Sequence, residues 1–494
     1  MSKKLPIFYS ALLLTGVNLL LRLVSTSFQV FISGRLGAAG VGLLQLVLSV
    51  GSLAMTAGMA GIRTATMYLT AEELGKRRPG NIRWILRGCL LYCLICSGTL
   101  AAGLYLGAPL IAAHWIGDLA TVGALRLFGL FLPMVCLCGC MSGYFTAANR
   151  IGTLALVEIG EQLASMTATM GALLLWAGND PSKACQSVVL GSGIGACFTA
   201  LCLLLLRMRE PKVSSPRIPV RDRLLRAAVP LALADDLKVG INTVENLMVP
   251  KRLALYEGVA SPLAAFGMVS GMVFPVLMFP AAILFALAEL LIPELARCSA
   301  AGSKIRIQYL AKRSLRLALL YGCVFGGGMY LLSEFLCLWL YQSMEAGEML
   351  RLYAVLAPML YCDAITDAIN KGLGQQQTAV RYNILTAVLD VVGLYFLLPR
   401  FGMMGYFVSF LITHLINFLL SLRLLIRTSG ISIPFYIPAL TITATLAAVY
   451  GAGFATGAVW QILTYLGLMG SLLVLFQVIS MEDLRWLRGL VAKK

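Results

Sequence analysis

Long apolar stretches, separated by short polar segments, run along almost the whole chain. A helix needs about 20 mostly apolar residues to cross the roughly 30 Å hydrocarbon core of a bilayer. On that rule the pattern predicts an all-α membrane protein with about fourteen transmembrane helices. The predicted spans lie near residues 6–33, 40–69, 84–108, 120–147, 153–177, 184–206, 227–250, 260–296, 314–341, 350–374, 379–398, 402–425, 433–453 and 458–480.

Composition places most of the surface against lipid. Apolar residues make up 59% of the chain and charged residues 12%, whereas a soluble protein needs about 25% charged residues. The formal net charge is +17, but a nucleic-acid partner would require a solvated basic face. The basic residues lie instead in short clusters between spans, so we expect the lipid bilayer as a partner and no nucleic acid.

The distribution of basic residues predicts the orientation of the spans. Of the 39 lysines and arginines, 29 fall on the side that holds both termini and seven fall in the opposite loops. Loops rich in Lys and Arg remain in the cytoplasm. We therefore expect a multi-pass protein of the cell membrane with both termini in the cytoplasm.

An internal repeat appears when Arg35, after span 1, is placed on Arg252, after span 7. The same offset aligns Asn18 with Asp235, Ser25 with Asn242, and Gln29 with Asn246. Six spans separate the two copies, so they would run parallel, as in transporters with two lobes related by an axis along the membrane normal. We expect a six-helix N-terminal lobe (1–210), a six-helix C-terminal lobe (211–428) and two C-terminal helices with a tail (429–494). A chance match of polar residues is the alternative.

Three cations lie within predicted spans: Arg22, Arg63 and Lys238. Such residues cost roughly 2.5–3.5 kcal/mol each on the insertion scale, so they usually face a wet cavity. Arginine suits phosphate because its planar fork binds two oxygens at once. The pattern predicts an anionic, phosphate-bearing substrate, bound with help from polar residues at helical spacing. These are Asn18, Ser25 and Asn242. Alternatively, each cation pairs with an internal carboxylate, such as Asp235 beside Lys238, and only holds helices together.

Aspartates form a second candidate site: Asp363 in span 10, Asp390 in span 11 and Asp235 in span 7. Carboxylates at that depth are typical of proton or sodium sites. We expect them to bind a coupling cation, Na⁺ or H⁺. The structural alternative is a charge pair with a cation of another helix.

Motifs of soluble enzymes are missing from the sequence. It has no Gly-rich loop with Lys-Ser/Thr for ATP and no zinc pattern, so we expect no enzymatic activity, no metal and no cofactor. Most of the 13 cysteines lie inside apolar runs, where they serve as small packing residues. Three prolines, Pro275, Pro280 and Pro293, predict that span 8 is kinked or broken.

Several motifs resemble the polysaccharide-transporter branch of the multidrug/oligosaccharidyl-lipid/polysaccharide (MOP) exporter superfamily, especially proteins like stage V sporulation protein B and the lipid II flippases. The segment at 32–42 (ISGRLGAAGVG) is similar to the loop after the first helix of that branch. Residues 58–73 resemble its second helix, 372–375 (GLGQ) its second-lobe loop, and Glu161-Gln162 its fifth helix. Two departures are Arg63, where the family often has proline, and 147–150 (AANR), where it has Gly-Leu-Gly.

This resemblance implies a flippase that moves a polyprenyl-diphosphate-linked glycan or peptidoglycan precursor by alternating access, acting as a monomer in cell-wall, polysaccharide or spore formation. It also implies that spans 13 and 14 help to hold the lipid tail. Two other functions stay open. A cation-coupled multidrug exporter would need an acidic cavity, and a membrane prenyl- or glycosyltransferase would need two aspartate clusters at one membrane face.

Overall fold

The secondary structure in the described part of the chain is helical throughout. The computed structural model describes residues 7–76, 78–178, 180–209, 220–432, 434 and 436–476. The first helices are α1 (Ile7–Met59), α2 (Ile62–Gly75), α3 (Ile82–Ile111), α4 (Val122–Ala147), α5 (Ile151–Ala172), α6 (Pro181–Met208), α7 (Arg221–Leu253) and α8 (Pro262–Met268). The others are α9 (Phe274–Met278), α10 (Ala281–Ala300), α11 (Lys304–Tyr341), α12 (Met344–Ala354), α13 (Ala357–Gly372), α14 (Gln376–Ser429), α15 (Tyr436–Ala452) and α16 (Ala458–Leu475). The all-α class is confirmed.

Two of these helices each pass from one predicted span into the next. A single non-helical residue, Gly37 (φ 67°), divides α1 where span 1 was predicted to end and span 2 to begin. Gly402 (φ 55°) divides α14 in the same way between spans 11 and 12. Positive φ values suit glycine, because it has no Cβ to clash. Both pairs of spans are thus joined without a loop.

The helices are long and apolar enough for a multi-pass membrane protein. Within the described residues, seven could cross a bilayer by length and composition, or nine if each of two bent pairs forms one span. The shorter apolar helix α15 adds another candidate. Since α14, and α1 together with α2, each hold two predicted spans, the expected count of about fourteen is consistent with this set.

Span 2 is interrupted, which the sequence did not predict. Ala60 (φ 42°) and Gly61 (φ 69°) adopt left-handed conformations and separate α1 from α2. The Tyr92 hydroxyl donates a hydrogen bond of 3.5 Å to the Ala60 carbonyl. Gly61 lies against the carbonyl of Ala228 on α7, too close for a Cβ. The break is therefore held by neighbouring helices on two sides.

Span 8 bends by 64° between the helix that ends at Met278 and α10, which begins at Ala281. Pro280 lies in this break, so the kink predicted for span 8 is confirmed, whereas Pro293 lies inside α10 without a break. Span 10 also bends, by 56°, between α12 and α13. Pro358, near the start of α13, lacks the N–H that would continue the preceding helix.

The contacts divide the chain into two compact units. The first contains the described residues up to Gly267 together with Leu394–Pro399. It includes α7 because Thr243 Oγ1 donates to the Ser49 carbonyl (3.1 Å) and Asn246 Nδ2 donates to Ser49 Oγ (2.9 Å). This division follows packing, whereas the predicted boundaries at 210 and 428 follow the sequence repeat and stay a prediction.

In the second unit the C-terminal helices α15 and α16 pack on α11. The buried Tyr465 hydroxyl donates to the carbonyls of Cys323 and Val324, both at 3.0 Å. Gly327 leaves the space that this phenol occupies, since a Cβ there would clash with the tyrosine oxygen. On the adjacent face of α11, Gly322 and Gly326 lie against the bend between α12 and α13.

Candidate substrate and coupling-ion sites

Arg63 is the second residue of α2 and directly follows the break in span 2. Its side chain is exposed, and its backbone carbonyl lies against Gly143 of α4, where a Cβ would clash. A guanidinium within a membrane span does not face lipid. The exposed surface at Arg63 therefore marks a water-accessible part of the first unit.

The start of α2 adds positive potential next to Arg63. The first N–H groups of a helix lack intrahelical acceptors and carry about half a positive charge in sum. No side chain caps α2, because its N-cap is Gly61. In transporters, interrupted helices use such N-termini to bind anionic substrate groups. Hydropathy did not reveal this feature, although the glycines at positions 58 and 61 were a signal.

Acidic residues on α5 lie near Arg63. Glu158 is half-buried and interacts electrostatically with Arg63 and with Glu161. Glu161 Oε2 accepts a 2.8 Å hydrogen bond from Thr199 on α6. Glu158 therefore balances part of the charge of Arg63. This partner comes from another helix, and the sequence alone did not identify it.

One face of α7 carries three of the predicted residues. Asp235, Lys238 and Asn242 are all exposed and are spaced three and four residues apart, as on one helix face. Nearer its start, α7 packs through small buried residues such as Ala228 and Ala232. Among the described residues no ion pair joins Lys238 to Asp235, so the proposed structural pair is not formed in this state.

A further carboxylate of α7 is Asp236, which is half-buried and which the sequence pattern did not indicate. Its Oδ1 is buried and has no hydrogen-bond partner among the described residues. It interacts electrostatically with Asp235 and with Tyr92. The side chains of adjacent helical residues point about 100° apart. The periodicity that relates Asp235 to Lys238 and Asn242 therefore could not identify Asp236.

The remaining predicted residues of span 1 give less information. The side chains of Arg22 and Asn18 lie outside the described part of the structure, and Ser25 is half-buried. The expectation that Arg22 and Arg63 line one cavity with Lys238 therefore stays a prediction.

Asp390 lies in the second unit and is buried, at 4% exposure. Ser409 Oγ donates a 2.6 Å hydrogen bond to Asp390 Oδ1. Tyr353 of α12 and His414 of α14 interact with it electrostatically. The Tyr353 hydroxyl is buried and has no hydrogen-bond partner within the described ranges. Asp390 is thus hydrogen-bonded to a hydroxyl and interacts electrostatically with a phenol and an imidazole.

Asp363 lies on α13 in the same unit. Its Oδ2 accepts a 3.1 Å hydrogen bond from Asn417 Nδ2, and its Oδ1 is buried without a partner in the described part of the chain. One turn further, Asp367 forms a 2.6 Å ion pair with Lys371. The structure thus brings Asp363 and Asp390 into one unit, while Asp235 belongs to the other.

An ion-pair cluster missed by the sequence analysis joins α2 to α7. The two terminal nitrogens of Arg223 bind Glu72 and Glu73, each at 2.9 Å. Glu73 is 2% exposed and also accepts a 2.9 Å hydrogen bond from Asn81. The glutamates and Arg223 occur in two different predicted loops, so only the fold shows that they meet.

Known proteins share this architecture. No family model matches the sequence. Stage V sporulation protein B of Bacillus subtilis (strain 168) is 21% identical over 408 residues, which cover 80% of this chain and 78% of that protein. Among solved structures, the lipid II flippase MurJ in an inward closed conformation has a TM-score of 0.73 at 11% identity and covers 96% of this chain and 99% of its own. An inward-facing multidrug resistance MATE family transporter of the MOP superfamily has a TM-score of 0.66 at 13% identity, over 85% of this chain and 100% of its own.

The sequence match extends over most of the chain, and the structural matches cover almost every described helix. Together with the long apolar helices, they establish a multi-pass membrane protein. The resemblance predicted from the motifs is therefore confirmed. The chain is a homologue of stage V sporulation protein B with the fold that MOP superfamily transporters and flippases share.

Proposed function

We propose that this protein is a flippase for a polyprenyl-diphosphate-linked glycan or peptidoglycan precursor, moved across the cytoplasmic membrane by alternating access. The observation that carries the proposal is the exposed Arg63 at the uncapped start of α2. The names of two similar proteins support it, since one is a sporulation protein and the other a lipid II flippase. One of these names is that of a flippase, and we propose that this chain likewise acts as a transporter rather than an enzyme, and as a monomer.

The diphosphate of the lipid carrier matches the chemistry around Arg63. The guanidinium fork and the free N–H groups of α2 both donate hydrogen bonds to phosphate oxygens. A charge-assisted contact of this kind is worth roughly 1.5–3 kcal/mol. Lys238 and Asn242 on the exposed face of α7, and Arg22, Asn18 and Ser25 of span 1, are the further proposed ligands.

Substrate movement would be coupled to a cation. Asp390 and Asp363 in the second unit, and Asp235 on α7, are the proposed binding residues for Na⁺ or H⁺. Carboxylates within a membrane are energetically costly, and for that reason they usually mark ion or proton sites. Both termini and the loops rich in Lys and Arg would lie in the cytoplasm.

The alternative is a multidrug exporter, and the observation in its favour is the structural match to a MATE transporter. The exposed cations Arg63 and Lys238 argue against a cationic drug as substrate, because like charges repel within a cavity of low dielectric. Removal of Arg63 should therefore weaken binding of a diphosphate substrate to a flippase, whereas it should strengthen binding of a cationic drug to an exporter.

The test is flipping of undecaprenyl diphosphate that carries a fluorescent glycan, in liposomes containing the purified protein. We expect Arg63→Ala to weaken binding about tenfold or more, because 1.4 kcal/mol is a factor of ten. Arg63→Lys should restore only part of it, since lysine keeps the charge but loses the fork. Arg126→Ala, near the other end of α4, is the matched control. Normal flipping by Arg63→Ala would refute the diphosphate site, and export of cationic drugs by the wild type would support the alternative.

A further inference from the structure

Helix α11 is longer than the hydrocarbon core of a bilayer. Its 38 residues, Lys304–Tyr341, extend over about 57 Å at 1.5 Å per residue, whereas the hydrocarbon core is about 30 Å thick. The predicted span occupies only 314–341, so the first turns of the helix lie outside the hydrocarbon. Those turns (304–313) contain four basic residues and no acidic residue.

The start of α11 packs beside the end of α14. Gln308 Nε2 donates hydrogen bonds to the carbonyls of Ser429 and Gly430, both at 3.1 Å. One turn further along α11, Lys312 Nζ donates to Ser432 Oγ at 3.4 Å. Carbonyls at the end of a helix lack intrahelical donors, so Gln308 satisfies groups that α14 alone would leave open. These contacts join the two helix ends into one surface of the second unit.

Four exposed cations of this surface have no ion-pair partner among the described residues. They are Lys304 and Lys312 of α11 and Arg423 and Arg427 of α14, and together they are called the basic end. The two arginines lie four residues apart and therefore share one face of α14. The nearby Glu294 is bound by Arg306 at 2.7 Å, so it does not neutralise the basic end.

Two tyrosines indicate that the basic end lies at the depth of the lipid headgroups. Tyr309 lies in the second turn of α11, and Tyr436 is the first residue of α15, four residues after Ser432. Both rings are more than half exposed, and Arg313 donates a hydrogen bond to the Tyr309 hydroxyl. Exposed tyrosines are enriched where a membrane meets water, because the ring is apolar and the hydroxyl is polar. The neighbouring cations are therefore level with lipid phosphate groups.

The chemistry of the basic end fits a phosphodiester. A guanidinium binds two phosphate oxygens at once, and a lysine extends its charged group into the headgroup region while its methylene groups stay against apolar surface. The predicted topology places this end in the cytoplasm, where clusters of Lys and Arg bind anionic lipids. The chain's own tail (477–494) carries four basic and two acidic residues, so it does not supply the negative charge.

We propose that the basic end is a binding site for the headgroup of an anionic phospholipid. Arg423 and Arg427 provide the pair of guanidinium groups for its phosphate, and Lys304 and Lys312 provide further positive charge. The bound lipid also supports the packing of α11 on α14, because its negative charge offsets the repulsion between their cations. This inference goes beyond the proposed function, since it concerns a lipid that is retained by the protein and not moved.

Native mass spectrometry of the purified full-length protein tests the site. The probes are phosphatidylglycerol and phosphatidylcholine with identical acyl chains, which differ in headgroup charge. We expect the wild type to bind phosphatidylglycerol about tenfold or more tightly than phosphatidylcholine, and Arg423→Gln combined with Arg427→Gln to lose most of this preference. Arg351→Gln combined with Arg400→Gln is the matched control, because it removes the same charge from exposed arginines at the predicted outer end of the unit.

Equal affinity of the wild type for the two lipids, or an equal loss of preference in the control variant, would overturn the proposal. Displacement of phosphatidylglycerol by polyglutamate would also overturn it, because the partner would then be an acidic protein segment. Thermal unfolding gives a second measurement: phosphatidylglycerol should raise the melting temperature of the wild type and the control more than that of Arg423→Gln combined with Arg427→Gln, and equal increases in all three would contradict the site. Neither measurement uses the glycan probe, so a failure of the proposed flippase function leaves this result unaffected.

Discussion

The backbone carbonyl of Ala228 lies against Gly61, in the space where any other residue at that position would place its Cβ. Gly61 also has a φ of 69°, in the left-handed region. The contact joins the break in span 2 to α7 and leaves Arg63 two residues further along the chain. The position of Arg63 therefore depends on a glycine that carries no chemistry of its own.

Replacement of Gly61 should destabilise the protein. In Gly61→Ala the left-handed conformation costs roughly 1–2 kcal/mol, and the clash with Ala228 adds about 1–3 kcal/mol of overpacking. Thermal unfolding of the detergent-solubilised protein measures the loss. Gly75→Ala is the control, because nothing lies within 4 Å of a Cβ there. Equal melting temperatures for the two variants would show that the contact is not maintained.

The ion-pair cluster of Arg223 should contribute more to stability than a surface pair. Arg223→Gln leaves the buried Glu73 with fewer donors, which should cost about 1–3 kcal/mol. Arg297→Gln removes an exposed arginine 3.8 Å from Glu294 and should cost less than about 1 kcal/mol. Chemical denaturation of both variants gives the comparison. A larger loss in Arg297→Gln would contradict the importance of the cluster.

The Tyr465 hydroxyl should secure the two C-terminal helices. Tyr465→Phe removes the hydrogen bonds to Cys323 and Val324 and leaves those carbonyls without this donor, at a cost of about 1 kcal/mol. Limited proteolysis should then cut more readily around α15 and α16. Tyr436→Phe changes a tyrosine that is 64% exposed and should leave the digestion pattern unchanged. An unchanged pattern in Tyr465→Phe would show that apolar packing alone holds the helices.

Topology can be tested by labelling single cysteines in a variant without the 13 native ones. A cysteine at Gly80 or Ser215 should react only from the cytoplasm, and one at Asp180 or Glu345 only from outside. The alternating distribution of Lys and Arg is the reason for this expectation. Labelling of positions 80 and 180 from the same side would show that the number of spans between them is wrong.

Hydropathy predicted the spans well because about 20 apolar residues per crossing are required by the membrane itself. It placed span boundaries near Gly37 and Gly402, where short polar runs interrupt the apolar pattern. The break at Ala60–Gly61 was missed because both residues are compatible with an apolar helix. The break packs against the carbonyl of Ala228, which is distant in sequence.

The sequence predicted candidate site residues only where the periodicity within a single helix identifies them. The exposed stripe of Asp235, Lys238 and Asn242 follows from helical periodicity and was found. The partners of Arg63 and Asp363, which are Glu158 and Asn417, come from other helices. Such contacts depend on packing, which a single sequence without aligned homologues does not specify.

Gly37 joins spans 1 and 2 through one residue, which limits how the chain can be modified. An epitope tag, a protease site or a fused reporter inserted there would separate two helices that have no loop between them. The same holds at Gly402. Under the topology proposed above, both points face the outside, and antibodies raised against intact cells would find little to bind there. Surface detection should then rely on the connections between α5 and α6 and between α11 and α12.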